Sequence, residues 1–184
     1  FAFGEAATLP ALPQRAIGET GTLSLTHVAQ DVALLQGYDN PVVIAWVATE
    51  NGSQPVNVRF DGVCCDTLLS LRLQEPDDLD GSHSAETVNY LVVEAGSWIL
   101  PDGTLLEAGT FFDNKLSPQG FSTVSFSAEF DDTPVILSQV QTSNGADFVT
   151  TRQRGADTEG FEITMQEEEA QNGGAHATET LGWV

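Results

Sequence analysis

NPVVIAWVATENG (40–52) and TPVILSQVQTSNG (133–145) decide the fold, because the chain writes the same apolar run and the same turn twice. Pro41 stands over Pro134, Thr49 over Thr142 and Asn51 over Asn144, each pair 93 residues apart. VNVR (56–59) then faces VTTR (149–152), which sets Arg59 over Arg152. LLSLRLQE (68–75) faces GFEITMQE (160–167) at an offset of 92. DGSHSAETVNYLVV (80–93) and GGAHATETLGWV (173–184) restore 93, with His83 and Glu86 over His176 and Glu179. An ordered series of matches at one spacing is the mark of a duplication.

Within each copy the pattern is that of strands. PVVIAWVAT, VNVRFDGV, LLSLRLQ and ETVNYLVVEA alternate or run apolar and are rich in Val, Ile and Thr. Asn-Gly, Asp-Gly and acidic loops separate them. TLSLTHVAQDVALLQ (22–36) is ambiguous alone, but it maps onto FSTVSFSAEF (121–130), which alternates, so both are assigned to strands. The expected fold is all-β, two tandem antiparallel β-sandwich repeats with a short extended N-terminal arm. The arm covers residues 1–20. The first sandwich runs over 21–112, carrying as an extension the hairpin turned by Pro101-Asp102-Gly103. The second runs over 113–184, and its last strand reads as cut short beside the first copy's.

Charge is the strongest global signal. Twenty-seven Asp and Glu face six Lys and Arg, a formal net of −21. Such a surface repels phosphate backbones and anionic lipid headgroups, which excludes nucleic acid and membrane insertion as expected partners. No apolar run approaches the roughly 20 residues needed to span a bilayer. The charge suits solubility in a salty medium, where self-repulsion is screened, or oxygen-rich cation sites.

The acidic loops are the candidate cation sites. Glu75, Asp77, Asp78 and Asp80 fall within six residues, and clustered carboxylates of this kind are candidate ligands for calcium as a cofactor. His83 with Glu86, and His176 with Glu179, each offer an imidazole and a carboxylate. Residues three apart on a straight strand face opposite ways, so each pair converges only where a strand begins between them. Zinc would need a third ligand of no obvious identity. Cys64 and Cys65 are adjacent and cannot clamp distant parts of the chain. Asn51-Gly52-Ser53 matches a glycosylation sequon but reads first as a hairpin turn. No nucleophile elbow or phosphate loop is present, so no enzyme is expected.

The second copy resembles the H-type lectin domain. Pro134-Val135-Ile136-Leu137, Arg152, Gly160-Phe161 and Trp183-Val184 carry the resemblance, with Pro41-Val42-Val43-Ile44, Arg59 and Tyr90-Leu91 a weaker echo in the first copy. The resemblance implies a six-stranded antiparallel sandwich, often oligomeric, that binds amino sugars, with Arg152 at the position that helps hold the sugar. Where that family places Trp-His, this chain has Glu168-Glu169. The expected function is a secreted, non-catalytic carbohydrate-binding or adhesion module at the extracellular surface. Arg59, His83, Glu86, Arg152, Glu168, Glu169, His176 and Glu179 are its candidate ligand-binding residues. The expected partners are cell-surface or matrix glycans, together with self-association. The alternative is a structural subunit of an extracellular filament or virion fibre, in which the N-terminal arm is donated to a neighbour's open edge.

Overall fold

Pro41–Val47 (β3) departs from simple alternation: Val42, Val43, Ile44 and Ala45 are all buried. A strand covered on one face alternates, whereas one covered on both reads as a continuous apolar run. Val43 and Ala45 join one buried cluster, and Val42 joins a different one on the opposite side. The rest of the architecture is arranged around this doubly covered strand.

The computed structural model describes residues 16–64, 67–168 and 174–184. There the protein is all-β, with a single 3-10 turn at Ser117–Gln119. In chain order, β1 (Gly18–Leu25) and β2 (Gln30–Ala33) precede β3, and β4 (Asn57–Cys64), β5 (Leu68–Gln74) and β6 (Glu86–Glu94) follow it. Next come β7 (Gly96–Ile99), β8 (Leu105–Asp113), β9 (Ser122–Ser125) and β10 (Ser138–Val140). The last three are β11 (Val149–Arg154), β12 (Gly160–Glu167) and β13 (Glu179–Trp183). Every pairing between these strands is antiparallel.

The strands form four sheets, ordered β1-β6-β3, β2-β5-β4, β10-β13-β8-β7 and β11-β12-β9. In the N-terminal half β6 lies between β1 and β3, and β5 between β2 and β4. In the C-terminal half β13 lies between β8 and β10, and β12 between β9 and β11, so the same order recurs. Leu25, Val43, Phe60, Leu69, Leu71, Val88 and Val92, drawn from both N-terminal sheets, make one core. Val124, Val140, Phe161, Ile163, Met165, Leu181 and Trp183, drawn from both C-terminal sheets, make another. Each fully buried side chain of this size contributes about 1.5–3 kcal/mol of burial.

A close approach is also written twice. Tyr90 on β6 pairs with Gly21 on β1, and Trp183 on β13 pairs with Gly109 on β8. A Cβ at Gly21 would stand 2.3 Å from the Tyr90 ring, and one at Gly109 2.8 Å from the Trp183 ring. Each aromatic ring therefore occupies the space beside a glycine that a side chain there would need.

The halves meet along β3. Val42, Val93 and Ala108 are buried together, with Leu91, Leu106 and Val184 packed against them. The outer edge of β3 is closed by amide side chains rather than by another strand. Gln141 accepts from Val43 N at 2.8 Å and donates to Val43 O at 2.7 Å. Gln139 accepts from Ala45 N at 2.7 Å and donates to Val58 O at 3.0 Å.

Three expectations are corrected here. The hairpin of residues 96–112 is no extension of the first half: β8 pairs with β13, and β7 is the outer strand of that C-terminal sheet. Its nearness in sequence to β6 concealed this. The arm ends earlier than residue 20, because β1 begins at Gly18 and pairs along the length of β6; residues 1–15 lie outside the described residues. The stretch 22–36 holds parts of two strands, the end of β1 and all of β2, whereas 121–130 holds only β9.

Candidate functional site

The twice-written His-x-x-Glu-Thr builds a buried hydrogen-bonded clasp in each half. Glu86 and Glu179 open β6 and β13, and each histidine sits three residues earlier, outside the strand. The convergence that a straight strand forbids is met in this way. His83 Nδ1 lies 2.8 Å from Glu75 Oε1, and its Nε2 lies 3.2 Å from Glu86 Oε1. His176 repeats this with Glu167 at 2.6 Å and Glu179 at 3.2 Å. The imidazole thereby ties the end of β5 to the start of β6, and the end of β12 to the start of β13.

The carboxylate at the centre also captures the Thr-x-Asn-Gly turn. Glu86 accepts from Thr49 Oγ1 at 2.5 Å, and from the N–H groups of Asn51 and Gly52 at 2.7 Å each. Glu179 accepts from Thr142 Oγ1, from Asn144 N at 3.1 Å and from Gly145 N at 2.9 Å. The threonine hydroxyls in turn accept from Thr87 N and Thr180 N. Asn51 and Asn144 donate their side-chain amides to Ala85 O and Thr178 O. Hydrogen bonds to an ionised carboxylate are among the stronger ones available, and several of them favour its charged form.

The glycines have a role that turn chemistry did not foresee. Neither Gly52 nor Gly145 is among the glycines with positive φ, so neither makes the mirror-image turn expected of Asn-Gly. Each instead gives room to an imidazole: an added Cβ would lie 2.7 Å from the His83 ring and 2.6 Å from the His176 ring.

The electrostatics follow from these contacts. The Thr49 hydroxyl, with the Gly52 and Asn51 amides and His83, outweighs burial and holds Glu86 down at about 2. For Glu179, burial pushes upward, but His176, Thr142 and the Gly145 and Asn144 amides prevail and hold it at about 2. His176 is pushed above the usual histidine range, chiefly by its hydrogen bond to Glu179 and then by Glu167, against the pull of burial.

Arg59 and Arg152 share a place in sequence but not in structure. Arg59 is 2% exposed and crosses from the N-terminal half into the C-terminal clasp. Its Nη2 donates to Glu179 Oε1 at 3.1 Å and to Gly145 O at 3.0 Å. Ser143 donates its hydroxyl to Phe60 O, Gln74 donates to Ala146 O at 2.8 Å, and Phe148 N donates to Asp77 at 3.1 Å along the same seam. Arg152 is exposed and, among the described residues, donates to Gln166 on its own sheet at 2.5 Å.

Of the candidate ligand-binding residues, His83 is brought to Glu86, and Arg59 and His176 to Glu179, but inside the fold and in two separate groups. Glu168 lies at the end of β12, where its N–H donates to Phe148 O at 3.2 Å. Glu169 lies outside the described residues, as does Cys65. The four carboxylates expected to hold calcium are not gathered. Glu75 is buried on His83, Asp77 accepts from Phe148 N, Asp80 caps its own loop at Ser82 N, and Asp78 is exposed. The loop is acidic, but its side chains turn to different tasks. Among the described residues, the acidic and histidine ligand atoms that do converge are those of Asp147, Glu167 and His176, all within 4.8 Å of one another. His176 already spends both ring nitrogens on Glu167 and Glu179 there.

Carboxylates serve as backbone acceptors elsewhere too. Glu19 on β1 accepts from Leu35 N, and Glu107 on β8 accepts from Ser127 N and Ala128 N. Glu94 accepts from Asp39 N and Asn40 N. A surface hollow of about 190 Å³ at the seam is lined by Trp46, Asn57, Gln139, Thr150 and Thr151, with the Trp46 indole 47% exposed.

Thus the chain folds around two acid-histidine clasps, one of them locked by an arginine from the other half. Among known proteins one likeness is clear. The chain is similar to Halomucin. That protein, from Haloquadratum walsbyi (strain DSM 16790 / HBSQ001), is 34% identical over 167 residues. The match takes in 83% of this chain and spans 2% of Halomucin. No family model matches the chain, and no solved structure does. Among the described residues no helix is long and apolar enough to cross a membrane.

Proposed function

We propose that this chain is a non-catalytic extracellular module: two copies of one six-stranded antiparallel sandwich, locked end to end into a stiff segment of an acidic surface polymer. One observation carries the reading. The histidine and the glutamate that recur in both copies are consumed in buried clasps, and Arg59 of the first copy is spent on the clasp of the second. A histidine and glutamate repeated for catalysis or for sugar binding would face solvent. These face inward and hold turns, strands and the junction. The likeness to Halomucin, whose name is that of a mucin, supports the extracellular placement, as does a charge of −21 that screens well in brine. Antibodies raised against this chain test the placement on intact cells of the source organism. Labelling of the cell surface or the medium is expected, and labelling only after lysis overturns the reading.

A second reading keeps the carbohydrate-binding expectation but moves the site. The Trp46 hollow sets an exposed indole among amide and hydroxyl groups, a lining of apolar and polar groups that suits a small polar ligand. A glycan array at high salt tests it with the protein and with Trp46→Ala. Binding that is lost in the variant supports a sugar site at the seam, and no binding by either removes it.

A further inference from the structure

The two copies are related as plug and socket, and the chain carries one of each unused. In the second copy the clasp is filled from outside: Arg59, Phe60 O, Gln74 and Asp77 of the first copy engage Glu179, Gly145 O, Ser143, Ala146 O and Phe148 N. Shifting those receiving positions back by 93 residues gives Glu86, Gly52, Glu50, Ser53 and Pro55. All five, together with His83 and Thr49, line an open hollow of about 460 Å³ in the first copy. The socket that Arg59 fills in the second copy is thus present in the first, and among the described residues nothing fills it.

The plug is likewise present and unused in the second copy. Shifting Arg59 forward gives Arg152, which is exposed. Shifting Val42 forward gives Val135. Val42 is 0% exposed at the junction, whereas Val135 is 87% exposed, with Leu137 beside it at 42%. An isolated exposed apolar residue needs no explanation. Here, however, both Val135 and Arg152 are uncovered at the positions whose counterparts are buried by the next copy.

We infer that the second copy of one chain docks on the first copy of another, Arg152 entering the Glu86 socket as Arg59 enters that of Glu179. The occupant is a second copy of this chain, because within the chain that face of the first copy is covered by the clasp face of the second. The contact is head-to-tail, so nothing closes it at two and it continues into an open row. This rests on the two-sandwich reading above and gives it a partner. The contact is weaker than the one within the chain. Trp46 and Ala48 stand where the second copy has Gln139 and Gln141, so the amide bridges to the edge strand are not repeated. Units joined on one chain face one another at effective concentrations in the millimolar range, where a weak contact still fills.

The test is sedimentation velocity of the chain in concentrated NaCl, from micromolar to about 1 mM. Arg152→Ala blunts the plug, and Ser53→Trp, at an exposed rim position, fills the socket. Wild type is expected to grow beyond dimers with concentration. Each variant alone is expected to stay monomeric with an unchanged melting temperature, and their equimolar mixture to stop at a 1:1 dimer. Wild type that remains monomeric to about 1 mM, or variants that associate as wild type does, overturns the docking. The cell-surface labelling above is independent of that result, so the two readings fail separately.

Discussion

Arg59 and Glu179 meet at 3.1 Å with side chains 2% and 0% exposed, although 120 residues separate them in sequence. Burying a guanidinium and a carboxylate is costly, and the pair is tolerable only while both are present. Burial pulls the Arg59 pKa below the usual arginine value, against the support of Glu179. Arg59→Ala is therefore expected to destabilise the chain by about 3–5 kcal/mol. It is also expected to split one cooperative melting transition into two, as the halves uncouple. Arg152→Ala, at the matching exposed position, should shift stability by no more than about 0.5 kcal/mol. Denaturant titration and calorimetry of the two variants make the comparison.

The clasps set a pH window. Glu179 ionises at about 2 in the fold against its usual 4.5, so its contribution is complete above 4.5 and is lost as pH falls toward 2. His176 is raised above its usual 6.5, so its contribution is complete below 6.5 and is lost as pH climbs through the raised value. Stability at constant high salt is expected to peak between these limits. Glu179→Gln should flatten both slopes, leaving an acid slope from Glu86, which also ionises at about 2. Urea midpoints measured across the pH range decide it, and an unchanged alkaline slope in the variant would count against the His176 assignment.

Gly52 and Gly145 are space-makers. Gly52→Ala and Gly145→Ala each push a methyl group against a buried imidazole, with an expected cost of about 1–3 kcal/mol. Gly174→Ala, where an added Cβ meets nothing within 4 Å, is the control. If the three variants unfold alike, the close approach to the histidines is not what requires glycine.

Salt should stabilise the protein. With 27 carboxylates against six cationic side chains, like-charge repulsion dominates at low ionic strength and is screened as salt rises. The melting temperature is expected to rise steadily from about 0.1 M to about 2 M NaCl. A fall over that range would mean that ion pairs outweigh repulsion.

Much of this was legible in the sequence because a duplication reports on itself. The 93-residue offset aligned β3 with β10, β4 with β11 and β6 with β13, and it put both histidines and both clasp glutamates in register. What escaped has physical reasons. Glu19 and Glu107 do the same work in β1 and β8, but they are 88 residues apart, so a single spacing could not pair them. The β7–β8 hairpin was assigned to the wrong half because adjacency along the chain is a poor guide to which sheet a strand completes. Arg59 and Arg152 look equivalent by position, and only packing distinguishes a residue the next copy covers from one it does not. The acidic loop at residues 75–80 suggested a cation, whereas Glu75 took an imidazole and Asp77 a backbone amide, which composition cannot foresee.

Gln141, which both donates to and accepts from Val43, behaves as a peptide group borrowed from a side chain. It ends the ladder at β3 in the way another strand would, yet offers no further row of donors and acceptors beyond itself. The sheet of β1, β6 and β3 and the sheet of β10, β13, β8 and β7 can then lie flank to flank without fusing into one ribbon. A junction capped in this way leaves no bare edge at β3 to template the strand stacking from which amyloid grows.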